Sequence, residues 1–271
     1  MSTAELRREI ARLRERGRSR RQEIPTDPVE LDPVEFARSV GMDPDEWQRR
    51  ALRSEAARVL MNCSRQSGKS TVAGVLALHK ALTTPGTLAL ILAPAERQAK
   101  ELFSKVAEMY RAIGHPIPAD SYRKLGVELT NRSRIEALPG TEKTVRGSSG
   151  VDLLIVDEAA RVADELYYSV RPMLAVSNGR LMMLSTPFGK RGVFYEEWTE
   201  GTGWERYTVT AAECPRIPAS FLAEEREALG QWWYAQEYEC RFMEAVDSVF
   251  TTELIEAALS DEVAPLFGEA G

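Results

Sequence analysis

Apolar positions along this chain fall into short continuous runs, set between longer stretches with helical spacing. Residues 59–62, 88–93, 151–156 and 180–185 are runs of four to six mostly aliphatic positions with Gly, Pro, Arg or Asp at or near their ends. Such runs predict strands buried on both faces. Residues 204–209 are a last strand candidate. Between these runs, the stretch ending near residue 81, residues 94–114 behind Pro94, and residues 163–176 predict helices. Residues 126–130 and 134–138 alternate around Asn131-Arg132-Ser133, the pattern of a hairpin. Upstream, Asp43 serves as a helix cap, with Pro44 in first position and Glu46 three residues on. That start predicts a helix carrying Trp47 and Gln48 toward residue 57. Buried strands alternating with helices predict an α/β fold with a mostly parallel sheet covered on both faces, its ligand at the carboxyl ends of the strands.

The ends of the chain read differently. After Pro215 the pattern is wholly helical, with residues 219–229 and 232–243 divided by Gly230, as expected for a small helical subdomain. Residues 1–24 show helical spacing at Leu6, Ile10 and Leu13, then dissolve into Arg, Ser and Gly. Two readings stand for this segment: a solvated tail, or a basic arm that touches nucleic acid or a partner subunit. Pro25, Pro28 and Pro33 mark a linker.

Charge sharpens this division. The 271 residues carry a net charge of -6, yet residues 1–23 hold eight arginines against four glutamates, leaving an acidic body of about -10. Any nucleic-acid contact by that body must be local, in a channel or across an assembly. With 44% hydrophobic and 28% charged residues, the chain is neither disordered nor fibrous. No apolar run approaches the roughly 20 residues of a membrane helix, and the Arg-rich start is no secretory signal. Cys63, Cys214 and Cys240 form no CxxC and are joined by only two histidines, so a zinc site is not expected. The expectation is a soluble protein of a reducing compartment.

Candidate chemistry gathers at two strand ends. Ser64-Arg65-Gln66-Ser67-Gly68-Lys69-Ser70-Thr71 lies between a strand and a helix, the setting of a phosphate-binding loop. Backbone N–H groups and the helix dipole face the phosphates there. Lys69 would reach the β- and γ-phosphates of ATP, and the Ser70 hydroxyl would ligate Mg²⁺. Asp157-Glu158 follows four aliphatic residues and stands 88 residues after Lys69. There Asp157 would hold Mg²⁺, and Glu158 would orient and deprotonate the attacking water. Ser185 and Thr186, closing the next strand, are placed to sense the γ-phosphate and couple it to a neighbouring element. For Trp47-Gln48 two readings are open: a Gln amide that reads the adenine edge, or a surface glutamine beside a core tryptophan. Arg146, in the Gly/Ser-rich loop 144–150, and Arg65, within the phosphate loop, are rival candidates for stabilising transition-state charge. Arg97, Lys100 and Lys105 are the basic residues considered for DNA phosphates, against the alternative of a solvated helix face.

In chain order these pieces resemble the ATPase domain of the tailed-phage terminase large subunit, a DNA-packaging motor. The matching segments are Trp47-Gln48, Arg65 to Ser70, Ala93 to Ala99, Leu138-Pro139-Gly140, Val145-Arg146-Gly147, Leu154 to Ala159, Ser185-Thr186-Pro187 and Glu237 to Phe242, together spanning about residues 36–250. Cys63 in place of the loop's first glycine fits that family. The resemblance implies a three-layer P-loop NTPase of the RecA-like (ASCE) kind with a C-terminal helical lid. The expected organisation is an arm at 1–28, an ATPase core at 29–210, a lid at 211–250, and a linker at 251–271 toward a nuclease domain that this chain lacks. It implies further that Arg146 acts in trans within a homo-oligomeric ring on the capsid portal. ATP hydrolysis would then drive double-stranded DNA into a procapsid in the cytoplasm of the infected bacterial host, with the portal protein and small terminase subunit as partners. A cellular helicase-like ATPase and a nucleotide-gated assembly module are the competing readings.

Overall fold

A computed structural model describes residues 31–140 and 150–244 of the chain. Its strands are β1 (Arg58–Cys63), β2 (Leu88–Ala93), β3 (Ala119–Arg123), β4 (Gly126–Leu129), β5 (Arg134–Pro139), β6 (Leu153–Asp157), β7 (Arg180–Ser185) and β8 (Glu205–Val209). The helices are α1 (Pro33–Ser39), α2 (Glu46–Arg53), α3 (Lys69–Thr83), α4 (Glu96–Ala112), α5 (Asp164–Val170), α6 (Gly192–Thr199) and α7 (Ala219–Glu237). All eight strands form one sheet in the order β3-β4-β5-β2-β6-β7-β1-β8. From β5 to β8 the pairs are parallel, while β3 and β4 extend the β5 edge in antiparallel fashion. This is the α/β architecture expected of the apolar runs.

Side chains along each central strand alternate between two cores. Val59, Met61, Ala89, Ile91, Leu153, Ile155, Met182 and Leu184 face one side with α2, α3 and α4. Leu60, Leu90, Leu92, Leu154, Val156, Leu181 and Met183 face the other, with α5 and α6. At about 1.5–3 kcal/mol for each fully buried aliphatic side chain, this two-sided burial holds the strand ends in fixed register. The register matters because β7 lies between β6 and β1, so three strand ends converge at one edge.

Several boundaries differ from expectation, each for a local reason. Helix α2 is capped by Asp45 rather than Asp43, because Gln48 completes a capping box with Asp45. Helix α4 starts at Glu96, since Ala95 is still extended. The stretch 163–176 divides into α5 and a 3-10 turn, Arg171–Leu174, where Pro172 cannot donate a helical hydrogen bond. Gly230, at φ +72°, breaks α7 where the pattern placed a break, but the second piece ends at Glu237 instead of 243. The hairpin of β4 and β5 turns as expected, with the Asn131 side chain accepting from the Ser133 N–H at 3.0 Å. Helix α1, strand β3 and helix α6 have no counterpart among the expected elements, and Pro33, expected in a linker, instead opens α1 behind the Asp32 cap. The 1–28 arm, the loop holding Arg146 and the 251–271 segment lie outside the described residues. Among the described residues no helix is long and apolar enough to cross a membrane.

Candidate active site

The buried strand β1 delivers Cys63 to the sheet edge, and the chain then loops over the start of α3. Gln66 takes φ +60° and Gly68 φ +92°, turning successive peptide groups inward. Only glycine fits at 68: a Cβ there would lie 2.7 Å from Gln48 Nε2 and 3.3 Å from Arg216 Nη2. The loop is anchored from behind by backbone bonds, Ser64 N–H to the Val209 carbonyl at 2.9 Å and Arg65 N–H to the Glu237 carbonyl at 3.2 Å.

Lys69 opens α3, and its side chain is almost wholly buried. Its ammonium donates to the Thr186 hydroxyl at 3.2 Å and faces Glu158 Oε1 at 3.6 Å. One residue on, the Ser70 hydroxyl donates to Asp157 Oδ2 at 3.1 Å. Lysine, hydroxyl and acid pair, distant in sequence, therefore meet at the ends of β1, β6 and β7. Ser185 closes the arrangement by accepting from the Ala160 N–H at 3.2 Å, which ties β7 to the turn after Glu158.

The two acids differ in environment. Asp157 is buried, and its carboxyl is pushed up to about 6, first by burial and next by the neighbouring Glu158 charge; Lys69 and the Ser70 hydroxyl act against this. Glu158 sits in the left-handed region at φ +52°, a conformation that costs a side chain of this type about 1–3 kcal/mol. That turn aims its carboxylate back over Lys69, and Arg161 holds the second oxygen at 3.2 Å.

Other expected residues fall as follows. Trp47 is buried in the core beneath α2. Gln48 is buried rather than at the surface. Its oxygen accepts from the Asp45 N–H at 2.9 Å, and its amide donates to the Ser67 carbonyl at 3.3 Å, so it braces the phosphate loop. Gln48, Gly68, Thr71, Met42 and Met109 line a cleft of about 540 Å³ beside the loop. Arg97, Lys100 and Lys105 are exposed on α4. The three cysteines are buried and free, and burial pushes each thiol up, Cys240 to about 12.

Some residues at the site carried no assigned role. Arg216 donates to the Ser67 carbonyl at 2.9 Å and to Asp45 at 2.8 Å. Arg161 and Glu237 form ion pairs around Glu158 and Arg65. Arg161 was legible as the residue three beyond Glu158. Arg216 follows a proline in a loop and left no such signal.

The donor set suits a small hard cation. Ser70 and Asp157 offer one hydroxyl and one carboxylate, and no group of three or more ligating side chains exists among the described residues. Magnesium matches such a site, since it takes most of its ligands from phosphates and water.

A family model described as "Terminase large subunit, T4likevirus-type, N-terminal" matches residues 60–257. The terminase large subunits of Thermus virus P23-45 and Thermus phage G20c are 30% and 29% identical over 185 residues. That alignment covers 61% of this chain and 38% of each relative, so the chain spans well under half their length. Among solved structures, the large terminase ATPase domain of Thermus phage P74-26 superposes with a TM-score of 0.70 at 24% identity, covering 79% of this chain and 100% of that one. The bacteriophage HK97 large terminase gives 0.61 at 15% identity, over 75% and 51% of the two chains. The large terminase of another thermophilic bacteriophage, in complex with ADP, gives 0.59 at 11% identity, over 77% and 53%. These likenesses establish the shared fold. With the family match running from β1 past the last described residue, this chain belongs to the terminase large subunit family of T4-like virus type, as its N-terminal region.

Proposed function

We propose that this chain binds and hydrolyses ATP, as the ATPase part of a motor that moves double-stranded viral DNA into a procapsid. The observation that carries this reading is the meeting of Lys69 with Glu158 at 3.6 Å and of Ser70 with Asp157 at 3.1 Å, at three adjoining strand ends. Loop N–H groups and Lys69 bind the phosphates, and the base lies in the cleft beside Gln48 and Thr71. Glu158 accepts a proton from the attacking water as its oxygen bonds to the γ-phosphorus. The bond to the β–γ bridging oxygen breaks, releasing ADP and phosphate. Ser70 and Asp157 would hold Mg²⁺, whose chemistry is to neutralise charge on the β- and γ-phosphates. Lys69 and Arg65, with Arg146 from a neighbouring subunit, balance the charge that spreads over the γ-phosphoryl oxygens. Thr186, in contact with Lys69, relays the state of the γ-phosphate to β7. Residues 211–250 act as a lid, and the ring on the portal, the small subunit and the host cytoplasm complete the setting.

Phosphate release by the chain, compared with Lys69→Ala and Glu158→Gln, tests the chemistry. Turnover in the wild type alone is expected; equal rates in all three refute it. Mixing Arg146→Ala with Lys69→Ala subunits should restore part of the activity. No recovery at any ratio counts against action across an interface.

A further inference from the structure

The end of the sheet away from the phosphate loop holds a second charged hollow. The amino ends of β6 and β7 and the last turns of α3 enclose a cavity of about 710 Å³, with Arg53, Lys80 and Arg180 on its wall. Arg180 opens β7, yet its Nε and Nη2 are buried and have no hydrogen-bond partner among the described residues. Glu205 acts on it only from beyond ion-pair reach, and that carboxylate is occupied by the Ser54 and Tyr207 hydroxyls. The acids lining the cavity are no better placed. Asp32 pairs with Arg53, Asp152 accepts from the Leu88 N–H at 2.8 Å, and Glu55 is exposed. Lys80 likewise makes no ion pair among the described residues. His79 donates to the Leu31 carbonyl at 2.6 Å, and burial favours its neutral form.

A guanidinium taken out of water without an anion is costly, and buried charges are found paired. The chain itself brings anions to the rim of this cavity. Asp32 and Pro33 stand on its wall, and Leu31, the first described residue, is the one bonded to His79. Residues 23–30, just upstream and outside the described residues, read Glu-Ile-Pro-Thr-Asp-Pro-Val-Glu, with three carboxylates and no cation. Extended backbone covers at most about 3.5 Å per residue, so Asp27 can stand no farther than about 14 Å from Leu31, and Glu30 is its neighbour. A partner tethered this closely acts at an effective concentration on the order of millimolar, which favours it over dilute free anions.

We propose that the acidic stretch 23–30 docks in this cavity and that its carboxylates pair with Arg180 and Lys80, rooting the arginine-rich stretch 1–22 at the end of the sheet opposite the phosphate loop. Thermal melts of the full chain test this as a cycle of four proteins. They are wild type, the neutralised variant Glu23→Gln/Asp27→Asn/Glu30→Gln, Arg180→Met, and the combination of all four changes. With Arg180 present, neutralisation strands a buried charge and should lower Tm by about 5 °C or more. In the Arg180→Met background the same neutralisation should shift Tm by less than about 1 °C. An equal loss in both backgrounds, or none in either, overturns the proposal. A loss that appears only at high protein concentration assigns the carboxylates to a second copy, which also overturns it. So does acetate in place of chloride if it stabilises wild type but not Arg180→Met, since the seat is then open to free anions. If a variant fails to fold by circular dichroism, carbodiimide coupling of wild type decides. An amide joining Lys80 Nζ to Glu23, Asp27 or Glu30 is expected by peptide mass, the carbodiimide taking up the lost water as a urea; coupling to none of the three is equally fatal.

Discussion

Asp157 lets the electrostatics of the site be measured without any nucleotide. Its carboxyl stands at about 6 instead of 3.8, chiefly through burial and then through the charge of Glu158. The residue is only 6% exposed, so little of this is lost to solvent screening. At 1.36 kcal/mol per pH unit, the difference amounts to about 3 kcal/mol. The folded protein holds this proton more tightly than the unfolded chain, so ionisation costs stability. That cost is complete above pH 6, shrinks as pH falls from about 6 to 3.8, and is absent below. Asp157→Asn keeps an oxygen for the Ser70 hydroxyl and the Glu158 N–H but carries no charge. In buffer free of nucleotide and magnesium at pH 8, it should be more stable than wild type by about 1–3 kcal/mol, or roughly 3–10 °C in Tm. The two proteins should converge near pH 4. Paired thermal melts at pH 8, 6 and 4 measure this directly. A variant no more stable than wild type at pH 8, or a gap that fails to narrow with acid, refutes the assigned balance of burial and repulsion.

Three further substitutions probe the frame around the site. Gly68→Ala forces a Cβ to 2.7 Å from Gln48 Nε2 at φ +92°, and should weaken binding of fluorescent ADP at least tenfold; undiminished binding would contradict the bracing role of Gln48. Thr186→Val removes the Lys69 partner at 3.2 Å while keeping the shape. It should lower kcat about tenfold with Tm nearly unchanged, the loss expected for one hydrogen bond to a charged group, and an intact kcat argues against sensing at this position. Gly179→Ala places a Cβ 2.0 Å from the Val151 carbonyl, far from the chemistry. Chemical denaturation should show a loss of about 3 kcal/mol, at the upper end of overpacking costs, and a loss under 1 kcal/mol would show that this turn yields.

The central strands were legible because their apolar runs are unbroken and end in polar or turn-forming residues: 88–93 and 180–185 match β2 and β7 to the residue. Strand β3 was not, since Ala-Asp-Ser-Tyr-Arg is exposed at a sheet edge and bears no apolar alternation. Helix α6 opens at Gly192 and is too short for a clear period. The Asp43/Asp45 ambiguity is a limit of local pattern, because two acids flank one proline and the choice is made by Gln48 three residues beyond Asp45. For the site, Lys69, Ser70, Asp157 and Glu158 could be named because a loop-and-strand motif binds chemistry to spacing. Glu237 and Arg216 could not be given roles, since ion pairs across 172 residues and a hydrogen bond across 149 have no local signature.

The bond between the Asn62 side chain and the Cys240 carbonyl, 178 residues apart, bears on how the protein is born. Strand β1 leaves the ribosome early with Gln48 already made to brace its phosphate loop, and β8 then adds the Ser64 anchor, yet the holds from Arg216, Glu237 and Cys240 come last. At translation speeds of 5–20 residues per second, that interval is roughly 10–35 s. A nascent chain halted after β8 would therefore own its whole sheet with the phosphate loop only partly anchored.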